Sequence, residues 1–259
     1  MMVITGASSG IGMEMARVAA ADGRELALVA RGEEKLRALA GELRGKHGVR
    51  VEVIAADLAR PGAAGEIVSR LTTLGVPIDA LVNNAGFGVY GPFTETPLDT
   101  ELQILQVNIV ALTELTKRLL PDMVARRQGR ILNVASTAAF FPGPLMAVYY
   151  ASKAYVLSFT EAIANELAGT GVTVTALCPG PTASGFQAAA KLEESKLVSG
   201  KTLTTSREVA EAGYAAMVAG KSIEIPGLSN KLVTLMPRVM PRRSVASLVR
   251  GVQERRSAS

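Results

Sequence analysis

The sequence predicts an α/β protein in which helices cover both faces of a parallel β-sheet, and three observations support this prediction. Short apolar runs of the kind found in buried strands alternate with helical patterns over residues 1–180. Gly supplies 25 of the 259 residues and aromatic residues only 4%, which suits tight turns between strands and helices. Polar residues recur where the apolar runs end. Strands joined through helices form right-handed βαβ units, and ligands bind at the shared carboxyl edge of such sheets.

Composition excludes several classes of protein. A hydrophobic content of 48% is ample for the core of one large domain or two small ones. With a single Cys, Cys178, and a single His, His47, a disulfide framework is excluded and no Cys/His metal site is expected. The first residues already predict a strand and a glycine turn rather than a signal peptide, and no apolar run reaches the roughly 18 residues of a membrane span. We therefore expect a cytoplasmic protein.

The positive charge is concentrated at the end of the chain. The formal net charge is +5, yet residues 231–259 hold seven Lys or Arg against Glu254 alone. The remaining 230 residues are close to neutral, so the basic character gives no reason to expect nucleic-acid binding by the main body.

The first strand, predicted over residues 1–5, runs into Gly6-Ala-Ser-Ser-Gly10-Ile-Gly12 and a helix over residues 13–21. Glycines permit a tight turn and let the backbone approach a phosphate, while a helix N-terminus offers free N–H groups to the pyrophosphate of a dinucleotide. The alternative is a plain glycine turn. The positions predicted to bind a dinucleotide are Gly6, Ser8, Ser9, Gly10, Ile11 and Gly12.

The second strand, residues 25–30, is apolar enough for a buried parallel sheet and ends at Arg31. In dinucleotide-binding folds, the residue about 20 positions after the glycines meets the adenosine ribose. An acid there favours NAD, whereas Arg accommodates the 2′-phosphate of NADP. Arg31 therefore predicts NADP(H) rather than NAD(H), although Arg is also common in solvent-exposed loops.

The third and fourth strands end in polar residues. Strand 49–55 is followed by Asp57 and Leu58, and Asp57 could accept a hydrogen bond from adenine or cap the next helix. Strand four begins at Asp79 and leads into Asn83-Asn84-Ala85-Gly86. Buried amides need partners, so both Asn side chains are expected to bond backbone or ligand, and Gly86 lets the chain pass close to a cofactor.

The fifth strand, residues 130–135, delivers Ser136, and the helix predicted over residues 148–167 delivers Tyr149 and Lys153. Residues four apart share a helix face. A nearby cation lowers the pKa of a phenol from its usual value of about 10, so Tyr149 can exchange a proton with a carbonyl or alcohol oxygen. Ser136 could hydrogen-bond the same oxygen. Taken alone, Tyr-x-x-x-Lys is more often packing beside a solvated charge.

Two further places are candidates for the same site. A long helix predicted over residues 99–125 contains Asn108 among apolar neighbours, either as a satisfied interior amide or as a link in a proton path. The sixth strand, residues 172–178, ends in the rigid turn Pro179-Gly-Pro-Thr-Ala-Ser184. Cys178 lies in an apolar strand and is interpreted as packing.

The carboxyl-terminal part divides into a substrate loop, about residues 185–206, a helix over 207–219, a last strand over 223–225 and a basic extension over 231–259. The loop could be a mobile lid, and residues 1–230 are predicted to form one catalytic domain. In the extension, apolar residues at helical spacing predict two short amphipathic helices packed on the domain or on a second subunit. Alternatively, they rest weakly on a membrane or cover an apolar substrate entrance.

Together these motifs resemble the short-chain dehydrogenase/reductase family over nearly all of residues 1–227. The resemblance implies a Rossmann fold with a doubly wound, seven-stranded sheet in the order 3-2-1-4-5-6-7, and a homodimer or homotetramer. It implies NAD(P)-dependent hydride transfer with Tyr149 as general acid/base, Ser136 as polariser of the substrate oxygen and Lys153 on the nicotinamide ribose. Asn108 would hold a water in a proton relay. The remaining cofactor positions are Arg31, Asp57, Leu58, Asn84, Ala85, Gly86, Tyr149, Lys153, Pro179, Gly180, Thr182 and Ser184, the last in place of the usual Thr.

The sequence favours reduction of a ketone or aldehyde. The few polar residues around Phe140, Phe141, Leu145 and Met146 either indicate an apolar substrate or belong to ordinary core. One rival is a sensor or scaffold that binds NADP(H) without turnover, but it would not need Ser136, Tyr149 and Lys153 together. Binding of nucleic acid through the basic extension would depend strongly on salt, but the extension carries no recognised reading motif, so no nucleic-acid partner is expected.

Overall fold

The computed structural model describes residues 1–185, 203–238 and 240–254. In these residues seven strands form one sheet: β1 (Met2–Thr5), β2 (Leu26–Ala30), β3 (Val51–Ala55), β4 (Ala80–Asn83), β5 (Gly129–Val134), β6 (Val172–Leu177) and β9 (Ile223–Glu224). Their order is β3-β2-β1-β4-β5-β6-β9, with every neighbouring pair parallel. This confirms the predicted order, with β9 as the seventh strand. A short pair not predicted from sequence, β7 (Thr182–Ala183) and β8 (Thr204–Thr205), stands apart from the sheet.

The helices are α1 (Gly10–Ala21), α2 (Glu33–His47), α3 (Ala63–Thr73), α4 (Leu98–Leu105), α5 (Leu112–Ala125), α6 (Ala147–Glu166), α7 (Ser206–Val218), α8 (Leu228–Leu235) and α9 (Arg242–Gln253). A π-helical segment, Gln106–Ala111, joins α4 to α5 and interrupts the long helix that the sequence predicts. Helix α3 was not predicted from the sequence, although Ala64, Ile67 and Leu71 are spaced as on one helix face. Burial of Ile67 and Leu71 against the sheet stabilises α3.

Adjacent residues of the central strand contribute to cores on opposite faces of the sheet. Ile4 packs with Met15 of α1 on one face, whereas Val3 packs with Leu115 of α5 on the other. Val3 and Ile4 are both fully buried. Because both faces are covered, the strands must be apolar at nearly every position, which explains the continuous apolar runs.

A buried polar network joins the middle of the sheet to the helices on one face. Asn83 and Asn133 are register partners on β4 and β5. Asn83 Nδ2 donates to Asn133 Oδ1 at 2.9 Å and to Thr116 Oγ1 at 3.0 Å, and Asn133 Nδ2 donates to Thr160 Oγ1 at 2.9 Å. The expectation that Asn83 bonds backbone or ligand is therefore wrong, because neighbouring side chains accept the hydrogen bonds of its amide nitrogen.

The two helices of the extension, α8 and α9, pack on the domain from which they emerge. Val245 and Gln253 on α9 are buried, while Leu228 and Leu232 on α8 are largely exposed. Within the described residues, every helix is too short or too polar to traverse a lipid bilayer.

Candidate active site

A cavity of about 1080 Å³ lies along the carboxyl edge of the sheet. Of the residues predicted to act in catalysis or cofactor binding, Gly12 and Asn108 do not line it, and the others do. The predicted residues on its surface are Gly6, Ser8, Ser9, Gly10, Ile11, Arg31, Asp57, Leu58, Asn84, Ala85, Gly86, Ser136, Tyr149, Lys153, Pro179, Gly180, Thr182 and Ser184. Most of the predicted substrate loop, residues 186–202, lies outside the described residues.

Asn84 fixes the start of the glycine turn through hydrogen bonds to Thr5. Asn84 Nδ2 donates to the carbonyl oxygen of Thr5 at 2.8 Å, and the Asn84 backbone N–H donates to Thr5 Oγ1 at 3.0 Å. Gly6 has a φ of +66°, and a Cβ there would lie 2.7 Å from Asn84 Nδ2. A Cβ on Gly12 would come closer than 3.0 Å to both Asn84 Nδ2 and the Gly6 carbonyl oxygen. Gly12 therefore permits the turn to close, while Gly10 and Ile11 face the cavity.

The chemistry of this end of the cavity fits a phosphate-bearing dinucleotide. None of the described side chains caps the N-terminus of α1, and no acidic residue lies in its first turn. Its first N–H groups therefore remain available to an anion at the cavity surface. Arg31 and Lys35 add two cations to the lining. Sequence reasoning missed Lys35, although its position four residues after Arg31, in the first turn of α2, was a usable signal.

Asp57 does not cap a helix. Its Oδ1 accepts a hydrogen bond from the backbone N–H of Ala59 at 3.0 Å, and α3 begins only at Ala63, after Gly62. The capping alternative is therefore wrong. Asp57 and Leu58 both contribute to the cavity surface, where the adenine hypothesis placed Asp57.

Ser136 and Tyr149 meet in the middle of the cavity. Ser136 caps a 3-10 turn, Thr137–Phe140, because its Oγ accepts from the Ala138 N–H at 3.1 Å. Burial raises the pKa of Tyr149 above its usual value of 10, and a hydrogen bond with Ser136 offsets only part of this rise. The expected lowering by Lys153 is therefore wrong for this structure, because removal of the phenolate from water dominates the shift. Tyr149 is a neutral phenol at physiological pH.

Lys153 is anchored to the sheet. Its Nζ donates to the carbonyl oxygen of Val134, at the end of β5, at 2.7 Å, and lies 5.8 Å from the centre of the Tyr149 ring. Burial lowers the pKa of Lys153 to about 8. A Cβ on Gly86 would lie 3.4 Å from this Nζ, so the missing side chain of Gly86 gives the ammonium its room.

Asn108 lies behind the cavity, buried in the π-helical segment. Its Oδ1 accepts from the Phe87 N–H at 3.2 Å, and its Nδ2 donates to the Phe87 carbonyl at 3.1 Å and to Ser152 Oγ at 3.0 Å. Ser152 Oγ in turn donates to the Tyr149 carbonyl at 2.7 Å. Asn108 is thus a satisfied interior amide that ties the exit of β4 to the first turn of α6. Its part in a proton path stays a prediction.

The turn after β6 closes the far side of the site. The Pro179 carbonyl accepts from the Thr137 N–H at 2.9 Å, and Thr182 Oγ1 donates to the Gly180 carbonyl at 2.9 Å. Cys178 is fully buried, and burial raises the pKa of its thiol to about 12. A thiol of this kind is a poor nucleophile, which agrees with its interpretation as packing.

The remaining wall of the cavity is largely apolar. Phe141 and Met146, which the sequence linked to an apolar substrate, lie beside Tyr149 together with Tyr150. Helices α8 and α9 supply residues that the sequence did not assign to the site: Ser229, Asn230, Val233, Met236, Leu248, Val249, Val252 and Gln253. The amphipathic spacing of the extension was compatible with a helix that covers a substrate entrance. The spacing did not indicate whether the apolar face of that helix turns toward the cavity.

Comparisons with known proteins agree with this geometry. A family model for short chain dehydrogenases matches residues 1–195. The ketoacyl reductase HetN of Nostoc sp. is 31% identical over 240 residues, 92% of this chain and 82% of HetN. A solved structure of a short-chain dehydrogenase from Sphingobium yanoikuyae in complex with NADPH superposes with a TM-score of 0.83 at 31% identity, covering 100% of this chain and 98% of that one.

Other relatives are longer than this chain. A short chain dehydrogenase of Pseudocercospora fijiensis is 37% identical over 184 residues, which are 70% of this chain but only 59% of that protein. The chain therefore spans about three fifths of that relative.

Proposed function

We propose a function from one premise, which is that this chain belongs to the short-chain dehydrogenase family. We propose that it is an NADP(H)-dependent oxidoreductase that interconverts a carbonyl and an alcohol, with reduction of an apolar ketone or aldehyde as the favoured direction. The observation that carries this proposal is the meeting of Ser136, Tyr149 and Lys153 in a cavity whose other end fits a dinucleotide.

The chain's own residues divide the work of holding the cofactor. The N–H groups at the start of α1 would bind the pyrophosphate, and Arg31 with Lys35 would bind the 2′-phosphate of NADP(H). Lys153 would hold the nicotinamide ribose, and Thr182 with Ser184 the carboxamide. NADPH in the similar Sphingobium structure supports this choice of cofactor.

When bound, the nicotinamide supplies the hydride, and this chain's residues handle the substrate oxygen. The neutral phenol of Tyr149 donates its proton to that oxygen, and Ser136 Oγ stabilises the negative charge that develops on it. Reduction needs the protonated phenol, so the raised pKa of Tyr149 suits reduction. Asn108 and Ser152 fix the helix turn that carries Tyr149.

Replacement of Tyr149 tests the proposal directly. Tyr149→Phe should lower turnover of NADPH with ketones by at least about 100-fold, because it removes the proton donor and leaves the ring. NADPH affinity, followed by cofactor fluorescence, should change less than twofold. The matched control is Tyr155→Phe on the same helix, whose hydroxyl contacts Thr113 on the surface. Turnover that survives in Tyr149→Phe would refute the assignment.

A sensor that binds NADP(H) without turnover is the rival function. It requires the dinucleotide end of the cavity but gives Ser136, Tyr149 and Lys153 no task. A screen of ketones, aldehydes, steroids and quinones, with NADPH and NADH in parallel, separates the two. Tight NADPH binding without consumption in any reaction would favour the sensor.

We propose that the chain forms a homo-oligomer through the helical surface around α4. Leu98, Leu102 and Val110 expose large apolar side chains on α4 and the π-helical segment that follows it. Such a patch supports a protein interface. Light scattering after size-exclusion chromatography should give a mass of at least twice 27.1 kDa. Leu102→Lys should shift it towards the monomer, and a monomeric parent chain would contradict the proposal.

We also propose a weak contact of the extension with anionic membranes. Leu228, Leu232 and Leu235 are exposed on α8, with the exposed Lys231 among them. An apolar surface beside cations suits the interface of an anionic bilayer. Co-sedimentation with phosphatidylserine vesicles should fall on Leu232→Glu, whereas equal binding to neutral vesicles would contradict the charge argument.

A further inference from the structure

Helix α9 lies over the substrate side of the cavity. Leu248, Val249 and Val252 form part of the cavity surface, and Val249 packs on the cluster around Met146 and Tyr150. Val245, one turn before Val249, is 2% exposed. The inward face of the helix is therefore buried at Val245 and Val249 and borders the cavity at Leu248 and Val252.

The end of α9 is held by Tyr90. Tyr90, in the loop after β4, donates its hydroxyl hydrogen to the carbonyl oxygen of Gln253 at 2.8 Å. Gln253 ends the helix, and a carbonyl at that place has no partner inside the helix. The Gln253 side chain is completely buried, and it offsets part of the rise in the pKa of Tyr150 that burial causes, so the two side chains are neighbours. The Tyr150 ring packs edge-on against Tyr149, with 6.0 Å between ring centres.

The part of the cavity surface that α8 and α9 form is uncharged in the described residues. Its polar members are Ser229, Asn230 and Gln253, and the others are aliphatic or Met. The exposed Arg243 and Arg250 of α9 do not line the cavity. A neutral wall of this kind favours apolar ligand groups, because a charged ligand group would find no partner on it.

We propose that α9 is the outer wall of the substrate site, fastened by Tyr90 at Gln253. In this arrangement Leu248, Val249 and Val252 contact the part of an apolar substrate remote from its carbonyl. Substrates are then bulky neutral ketones or aldehydes. This inference rests on the proposed function for its substrate class, but the attachment of α9 is independent of turnover.

The attachment is tested without any reaction. Amide hydrogen exchange of residues 242–253 should be slow in the parent chain and at least about fivefold faster in Tyr90→Phe, which removes one hydrogen bond worth about 1 kcal/mol. Tyr155→Phe is the matched control and should leave the exchange unchanged. Rapid exchange of these amides in the parent chain would overturn the proposal, even if the enzyme turns over ketones normally.

The substrate class is tested by kinetics with NADPH and two ketones, acetone and a bulky aryl ketone. Removal of residues 242–259 should raise KM for the aryl ketone at least about tenfold, because its apolar contacts are lost, and change KM for acetone less than threefold. Tyr90→Phe, which keeps the whole chain, should shift the aryl ketone in the same direction by about threefold. NADPH affinity should stay within twofold.

If KM changes equally for both ketones, or for neither, α9 is not the wall of the substrate site, and the proposed function stays intact. Absence of turnover with every carbonyl, combined with slow exchange of α9, would instead refute the proposed function and keep the wall.

Discussion

The cavity has two parts, which we call the sheet-borne part and the tail-borne part. The sheet-borne part comprises the glycine turn, Arg31, Ser136, Tyr149 and Lys153, at or next to the carboxyl ends of parallel strands. The tail-borne part comprises the lining residues of α8 and α9, from Ser229 to Gln253. The buried sheet itself fixes the sheet-borne part, whereas a few side-chain contacts hold the tail-borne part against the domain.

The contacts explain why the two parts should tolerate change differently. In the sheet-borne part, Asn84 bonds the backbone at Thr5, and Lys153 bonds the backbone at Val134. In the tail-borne part, Asn230 Nδ2 donates to Pro226 at 2.6 Å, and Tyr90 holds Gln253. Local unfolding starts where buried contacts are few, so opening of α9 should cost less free energy than opening of the sheet, although its bond to Tyr90 keeps α9 closed most of the time. From this difference we expect a fixed cofactor end and a more adjustable substrate end.

The largest effect should come from Gly12→Ala, which adds a side chain in the glycine turn of the sheet-borne part. A Cβ there meets the Gly6 backbone at less than 3.0 Å, so the glycine turn must shift. We expect destabilisation of about 3 kcal/mol and loss of NADPH binding. Denaturant unfolding and cofactor fluorescence measure both. Gly41→Ala, in α2, is the control: nothing lies within 4 Å of its Cβ, so it should be neutral or stabilising. Similar results for the two variants would break the comparison.

A second test uses the buried ammonium of the sheet-borne part. Burial lowers the pKa of Lys153 from 10.5 to about 8, so the folded state binds the proton less tightly than the unfolded state. The resulting penalty is fully present below pH 8 and vanishes above the unfolded pKa. Lys153→Met should therefore gain stability relative to the parent at pH 7, on the order of 3 kcal/mol, and lose this gain by pH 10.5. A stability gain that does not change with pH would show that burial of the charged ammonium is not its cause.

Arg31→Ala should have an intermediate effect confined to the cofactor. Loss of one charged partner of the 2′-phosphate should weaken NADPH binding about 10- to 50-fold, corresponding to roughly 1.5–2.5 kcal/mol, and leave NADH binding unchanged. Competitive fluorescence titrations with both cofactors measure the ratio. If both affinities fall together, Arg31 supports the fold rather than the phosphate.

The smallest effect should come from Gly180→Ala, where the two parts of the cavity meet. Its Cβ would lie 2.5 Å from Asn230 Oδ1, the end of a side chain that can turn away. We expect destabilisation of about 1 kcal/mol, largely relieved when Asn230→Ala is added. Thermal unfolding of the single and double variants gives the coupling. A cost that persists in the double variant would show that Gly180 is constrained by the sheet and not by the extension.

Most of the sheet-borne part could be predicted from the sequence because each motif follows a strand in the chain. Arg31 after β2 and Ser136 after β5 were placed at one edge by the parallel topology alone. The pKa of Tyr149 could not be predicted in this way, since it depends on how much protein surrounds the phenol. Asn83 was assigned the wrong partners for a similar reason, because Thr116 and Asn133 are distant in sequence and adjacent only in the folded sheet.

The sequence by itself determined the alternation of strands and helices, the glycine turn and the spacing of Tyr149 and Lys153, since these depend on neighbours along the chain. Only the tertiary structure decided that α9 turns toward the cavity and ends at Tyr90. An amphipathic helix carries the same pattern whether its apolar face meets its own domain, a second subunit or a lipid surface. The choice depends on long-range contacts such as that between Tyr90 and Gln253, which are 163 residues apart.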